Sequence, residues 1–261
     1  MEVVILPDQA AAGELVGGTI ADLVGKRSDA VLGLATGSTP LAVYRDLARR
    51  HAAGELSLGR ARAFLLDEYI GLPAGDPQAY RAFIARELEA HVDFGPGAVR
   101  GPDVRASDLV SACDDYERAI RSAGGVDLQL LGIGTDGHIG FNEPGSSLAS
   151  RTRIKTLTQQ TRHDNARFFD DAVDDVPWHV VTQGIGTILE ARHLVLLAFG
   201  DEKAAAVASA VEGPVTAMVP ASALQLHPHA TVVVDEGAAS ELRLAGYYRE
   251  TWAHKPAWQG L

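Results

Sequence analysis

The chain of 261 residues has one cysteine, Cys113. That excludes an intrachain disulfide and a cysteine-rich zinc site, and it fits a reducing cytoplasm. Long apolar runs are missing too: none approaches the roughly 20 residues that span a bilayer. The start, Met1-Glu2-Val3-Val4-Ile5-Leu6-Pro7, lacks the basic end and long apolar core of a secretion signal and reads as a first strand. Basic residues are in deficit, with 23 Lys and Arg against 34 Asp and Glu for a net charge of −11. Nucleic acid and anionic membrane surfaces are therefore poor partners. An anionic small molecule stays open, because a local group of Arg and Lys can override the overall sign.

Hydrophobic residues at 46% and charged residues at 22% describe a globular chain with a substantial core. Apolar, strand-like runs alternate with helical patterns almost throughout. Val3–Leu6, Ala30–Leu34, Ala63–Leu66, Leu128–Ile133, Leu194–Phe199 and Thr231–Val234 read as strands, as does the more polar Arg153–Leu157. Helices are expected over Ala10–Val24, from Pro40 to about Arg50, from near Pro77, and over Ser107–Ala123, Asp201–Val211 and Pro220–Leu226. Ser107 would cap its helix and Pro40 would sit at a first helical position. Such alternation predicts an α/β fold: a doubly wound, mostly parallel, Rossmann-like sheet with helices on both faces, in a single domain over residues 1–261. The tail Trp252–Trp258 has too little periodicity to assign.

The densest chemistry follows the fourth of these apolar runs, in Gly132-Ile133-Gly134-Thr135-Asp136-Gly137-His138-Ile139-Gly140-Phe141-Asn142-Glu143-Pro144. A strand ending in a glycine-rich loop brings polar side chains to the carboxyl edge of a sheet, where open α/β folds bind ligands. Asp136, His138 and Glu143 together suit general acid–base work near neutral pH. A turn alone explains the glycines and Asp136 but not all three. Asp67-Glu68 ends another strand and delivers a carboxylate to the same edge; taken alone it reads equally as a surface acid or a cap.

Thr36-Gly37-Ser38-Thr39 links a strand to a helix, where free N–H groups and the helix dipole favour an anion. No Gly-Lys-Ser/Thr follows, so a nucleoside triphosphate is not implied. An ordinary capped turn explains these residues as well as a phosphate site does. Arg167 and Lys203 are cations that could complete such a site, or solvated surface charges. Arg151, Arg153 and Lys155 alternate along one strand face, which suits either a bound anion or an edge strand guarded by charge.

Leu66-Asp67-Glu68-Tyr69, the Asp136–Pro144 string, Ser146–Arg153 and Leu224-Gln225-Leu226-His227-Pro228 together resemble the glucosamine-6-phosphate deaminase family. The resemblance runs nearly end to end. It implies a cytoplasmic, cofactor-independent and metal-free hydrolase that turns glucosamine 6-phosphate and water into fructose 6-phosphate and ammonia. Carried across, His138 would open the pyranose ring, with Asp136 and Glu143 setting its protonation, and Asp67 would move a proton from C2 to C1. Gly37, Ser38, Thr39, Arg167 and Lys203 would hold the phosphate.

Enteric members are hexamers activated by N-acetylglucosamine 6-phosphate, which implies a homo-oligomer with Ser146, Ser147, Arg153, Lys155 and Thr156 as activator ligands. Arg249 stands where the activator site carries a tyrosine. Ser38 and Thr135 replace a usual glycine and asparagine. The rivals are a 6-phosphogluconolactonase, whose loop usually continues without Phe-Asn-Glu-Pro, and deaminases of other amino-sugar phosphates such as galactosamine 6-phosphate. More distant are a sugar-phosphate sensor and a metal-dependent hydrolase built on Asp136, His138 and Glu143.

Overall fold

Strands and helices alternate along the computed structural model, which describes residues 1–261, the side chain of Ala257 excepted. In chain order the elements are β1 (Glu2–Leu6), α1 (Gln9–Lys26), β2 (Val31–Leu34), α2 (Leu41–Ala52), β3 (Arg62–Leu65), β4 (Asp67–Tyr69), α3 (Tyr80–Glu87), β5 (Val99–Arg100), α4 (Leu109–Ser122) and β6 (Leu128–Leu131). They continue with β7 (Arg153–Thr156), α5 (Gln159–Ala166), β8 (His179–Thr182), α6 (Ile185–Ile188), β9 (His193–Ala198), α7 (Ala204–Glu212), β10 (Ala230–Asp235) and α8 (Ala245–Ala253).

Seven strands form one sheet in the order β1-β10-β9-β6-β2-β3-β5, and each neighbouring pair is parallel. Successive strand residues face opposite sides of a sheet. Every residue of β2, β6 and β9 is nevertheless buried, so both faces of the sheet are covered. That matches the α/β architecture expected from the alternating pattern. The chain runs from β2 outward through β3 to β5, returns to β6 beside β2, then runs outward the other way through β9 to β10. The strand order therefore reverses between β2 and β6.

The helices follow their apolar spacing. In α4 the buried residues are Ala112, Cys113, Tyr116, Glu117 and Ile120, which is one helical face. Its cap is Asp108, whose carboxylate accepts the N–H groups of Val110 and Ser111, one residue beyond the expected Ser107. Pro40 likewise caps α2 rather than opening it. Asp201–Lys203 is a 3-10 turn leading into α7, and Pro220–Leu226 is 3-10 rather than α-helical.

A second, antiparallel sheet, β4-β8-β7, was not expected. Asp67-Glu68-Tyr69 is not the end of β3 but a strand of its own, paired with Thr182-Val181-Val180. Under this sheet lies a small core separate from the main one, built from Tyr69, Phe141, Phe169 and Val180 among others. The crowded cations resolve here. Arg151 is paired with Glu190 and Glu117, while Arg153 donates to the Asn142 side-chain oxygen at 2.9 Å.

Glu117 carries much of the junction between the two sheets. Its buried carboxylate accepts the Thr152 N–H at 2.9 Å and the Thr152 and Thr187 hydroxyls, and it pairs with Arg151. Burial pushes this carboxyl up, but those donors outweigh it and leave the group below its ordinary value. The stability it contributes is therefore present above the unfolded-state pKa and is lost as pH falls through the folded one. Glu117→Gln should cost about 1.5–3 kcal/mol at pH 7, the usual worth of hydrogen bonds to a charged group. Urea melts from pH 7 to 3 check this: the variant's deficit should shrink as pH falls.

Candidate active site

The reversal between β2 and β6 opens a crevice at the carboxyl ends of the strands. A cleft of about 640 Å³ lies there. The Ala35–Thr39 loop after β2, the Gly132–His138 loop after β6, Asp67 of β4 and Lys203 after β9 all reach it. Four separate stretches of sequence thus deliver polar side chains to one space.

Within the β6 loop, His138 Nδ1 lies 2.7 Å from Asp136 Oδ1 and 3.9 Å from Glu143 Oε2. Gly134 makes room for the ring, since a Cβ there would stand 2.2 Å from Nδ1. The two acids are driven in opposite directions. Burial raises the Asp136 carboxyl, but the hydrogen bond and charge of His138 win and leave it far below the usual carboxylate range. Burial raises Glu143 and prevails there, against a hydrogen bond from the Thr161 hydroxyl and the pull of His138.

Asp67 is 5% exposed, and among the described residues no group donates to its carboxylate. Burial first, and then the charge of Glu68, push it well above the ordinary value. Glu68 is treated differently. Its carboxylate accepts the N–H groups of Tyr69 and Tyr80 at 2.9 Å and of Arg81 at 2.8 Å. It thereby caps α3, whose own cap residue Ala79 offers no side-chain bond. Gly140, at φ 55°, brings the loop of His138 up against Asp67: a Cβ there would lie 3.3 Å from the Asp67 carboxylate and 3.1 Å from the Thr182 hydroxyl.

Gly37, Ser38, Thr39, Arg167 and Lys203 all line the cleft. Arg167 stands over the Phe168 ring at 4.8 Å. Burial lowers the Lys203 ammonium, and the nearby charge of Arg167 lowers it further against the opposing charge of Glu202. Two cations held this close favour an anion between them. Ser146, Ser147, Arg153, Lys155 and Thr156 are outside the cleft lining. Arg153 and Lys155 share one face of β7, half buried, whereas Thr156 is exposed on the other. Ser146 Oγ is buried without a hydrogen-bond partner. Arg249 pairs with Glu236 at 2.5 Å.

Reasoning from sequence missed the aromatic wall beside Asp67. Tyr69 and Tyr80 are 4.9 Å apart, Phe141 stacks on Tyr80 at 6.0 Å, and the Asn165 amide donates to the Tyr69 hydroxyl at 3.0 Å. No local pattern marks these residues, because they meet only through the second sheet and α5.

A sequence model of the family described as glucosamine-6-phosphate isomerases/6-phosphogluconolactonase matches residues 9–234. The chain belongs to this family. It is 63% identical to the glucosamine-6-phosphate deaminase of Streptomyces avermitilis and 62% identical to that of Mycolicibacterium smegmatis, each over 100% of both chains. The solved structure of a monomeric glucosamine-6-phosphate deaminase superposes with a TM-score of 0.90 at 43% identity, covering 92% of this chain and 100% of that one. A 6-phosphogluconolactonase from Trypanosoma cruzi reaches a TM-score of 0.74 at 21% identity, over 93% and 97%, and so shares the fold. One expectation is corrected. The family's description names isomerases and the relatives are deaminases, so the hydrolase class drawn from the consumption of water does not stand.

An acid with a raised folded pKa favours the folded state only while protonated, and it subtracts from stability as pH rises through that pKa. At pH above the ordinary carboxylate range the buried Asp67 is thus a burden on the fold. Asp67→Asn removes the charge at nearly constant volume and should raise Tm by at least about 2 °C. Thermal melts at pH 7 and pH 4 check it: the gain should shrink at the lower pH.

Proposed function

We propose that the protein opens glucosamine 6-phosphate, isomerises it and deaminates it, consuming water and releasing fructose 6-phosphate and ammonia. The observation that carries this reading is the buried, donor-free Asp67 carboxylate facing the same cleft as His138. Moving a proton between adjacent carbons needs a base of raised proton affinity, kept from water and fixed beside its target. Lactone hydrolysis needs no such base, which favours the deaminase over the lactonase branch.

In this reading the phosphate sits among the Gly37–Thr39 N–H and hydroxyl donors, Arg167 and Lys203, which fixes the sugar by its charged end. His138 passes a proton between the ring oxygen and the C1 hydroxyl to open the pyranose. Asp136 orients the imidazole through Nδ1, and Glu143 places a second carboxyl group 3.9 Å from it. Asp67 then takes the C2 proton and returns one to C1, leaving an imine at C2. Water adds to the imine and ammonia departs. The Tyr69–Tyr80–Phe141 wall keeps bulk water from Asp67 and so preserves its basicity.

The reaction belongs in the cytoplasm, in keeping with the lone buried thiol of Cys113; no helix is long and apolar enough to cross a membrane. For a homo-oligomer activated by N-acetylglucosamine 6-phosphate the support is divided. Arg153 reaches Asn142, the neighbour of Glu143, which offers a route to the loop of His138. Thr156 on the opposite strand face and the Arg249–Glu236 pair weigh against a ligand held by the whole set.

The deciding assay follows ammonia and fructose 6-phosphate from glucosamine 6-phosphate, beside galactosamine 6-phosphate and 6-phosphogluconolactone, with and without the acetylated sugar phosphate. Equal amounts of both products from the first substrate are expected; hydrolysis of the lactone alone would overturn the proposal. Asp67→Asn should lower kcat by about 10²–10⁴-fold, the usual worth of a positioned acid or base. The acidic limb of kcat/KM should lie above about pH 4, because the base is lost only as pH falls through a pKa raised from the ordinary carboxylate value. Lys203→Ala and Arg167→Ala should raise KM more than they lower kcat, in steady-state kinetics over a wide substrate range.

A further inference from the structure

The Asp136–His138–Glu143 group has a second chemical capacity. Its donor atoms lie within 4.8 Å of one another. His138 Nδ1 is 2.7 Å from Asp136 Oδ1 and 3.9 Å from Glu143 Oε2. Donors on a tetrahedral zinc are about 3.3 Å apart, given bonds of roughly 2.0–2.1 Å, so small side-chain rotations bring the set onto a metal. Glu143 is 6% exposed and accepts the Thr161 hydroxyl through Oε1, while Oε2 is the oxygen nearer the imidazole. The loop thus holds two carboxylates around one imidazole, an arrangement short of positive charge whenever the ring is neutral.

We infer that Asp136, His138 and Glu143 bind a divalent transition-metal ion, zinc foremost, and that the bound ion inhibits the enzyme. One imidazole and two carboxylates with an open fourth position suit zinc better than magnesium, which prefers six oxygens and keeps its waters. On binding, zinc takes the Nδ1 lone pair, and the proton there leaves to solvent or shifts to Nε2. Nε2 then keeps its hydrogen, because losing it would leave an imidazolate, and the ring can no longer take up the proton that ring opening passes through it. The ion blocks the step that the free group performs and supplies none of its own. Binding depends on the donor geometry alone, while inhibition rests on the acid–base role proposed above for His138.

The test uses the full chain, stripped with EDTA and exchanged into chelator-free buffer, titrated calorimetrically with zinc chloride. One zinc per chain is expected, and Asp136→Asn and Glu143→Gln should each weaken binding at least about tenfold. His229→Ala alters the stacked His193–His229 pair at the far edge of the sheet and should leave zinc binding unchanged. Saturating zinc should suppress ammonia release, EDTA should restore it, and glucosamine 6-phosphate should raise the apparent Kd for zinc. Binding that is absent, or that survives both triad substitutions in variants with native circular dichroism, overturns the site. Binding without inhibition overturns the blocking role. A stripped protein that releases no ammonia defeats the deaminase reading instead, while the calorimetric arm still decides the metal site.

Discussion

Three backbone N–H groups converge on the carboxylate of Glu68, and the shape of the cleft depends on that convergence. They belong to Tyr69 on β4 and to Tyr80 and Arg81 in the first turn of α3. One side chain thus fixes the helix that carries Tyr80 and Phe83 to the strand that carries Asp67. Burial raises both neighbouring acids, but only Glu68 receives donors and a helix dipole in return. Two adjacent carboxylates in similar burial therefore diverge: one becomes a structural cap, the other a carboxylate of unusually high proton affinity open to the cleft.

The same separation recurs between two acids seven residues apart in the loop after β6. Asp136 sits beside His138 and is held ionised, while Glu143 lies deeper and holds its proton more tightly. Pairs of acids pushed apart by their surroundings are a recurrent sign of acid–base assignment. Neither direction is a property of the residue type. Each follows from how far the side chain lies from the imidazole and how much water it has given up.

Six strands of the main sheet were legible in the sequence because they are largely buried and read as unbroken apolar runs, as in Leu194–Phe199, whereas the two-residue, half-exposed β5 was not. The loops at the sheet's carboxyl edge were legible for the same reason, since they begin where those runs stop. The second sheet was not. Asp67-Glu68-Tyr69 and His179-Val180-Val181-Thr182 are short and half polar, and their pairing joins residues more than a hundred apart. The ion pairs of Arg151, just before β7, were not legible because its partners Glu117 and Glu190 are 34 and 39 residues away. The cap of α4 fell one residue late because Ser107 and Asp108 are both good caps and only the backbone chooses between them. Helix α8 escaped because only Ala245, Tyr248 and Trp252 pack against the core, and none of them is fully buried.

Strand β1 has one neighbour in the main sheet, and that neighbour is β10, in the register Glu2 with Thr231 through Leu6 with Asp235. The ion pair of Lys255 with Glu2 closes the same seam. During synthesis the first strand therefore leaves the ribosome more than two hundred residues before its partner. Its row of unpaired N–H and C=O groups must wait, and at typical elongation speeds the wait is on the order of 10–50 s. The two ends of the chain are stitched together last, so the newborn protein passes through a long interval with an open, adhesive sheet margin.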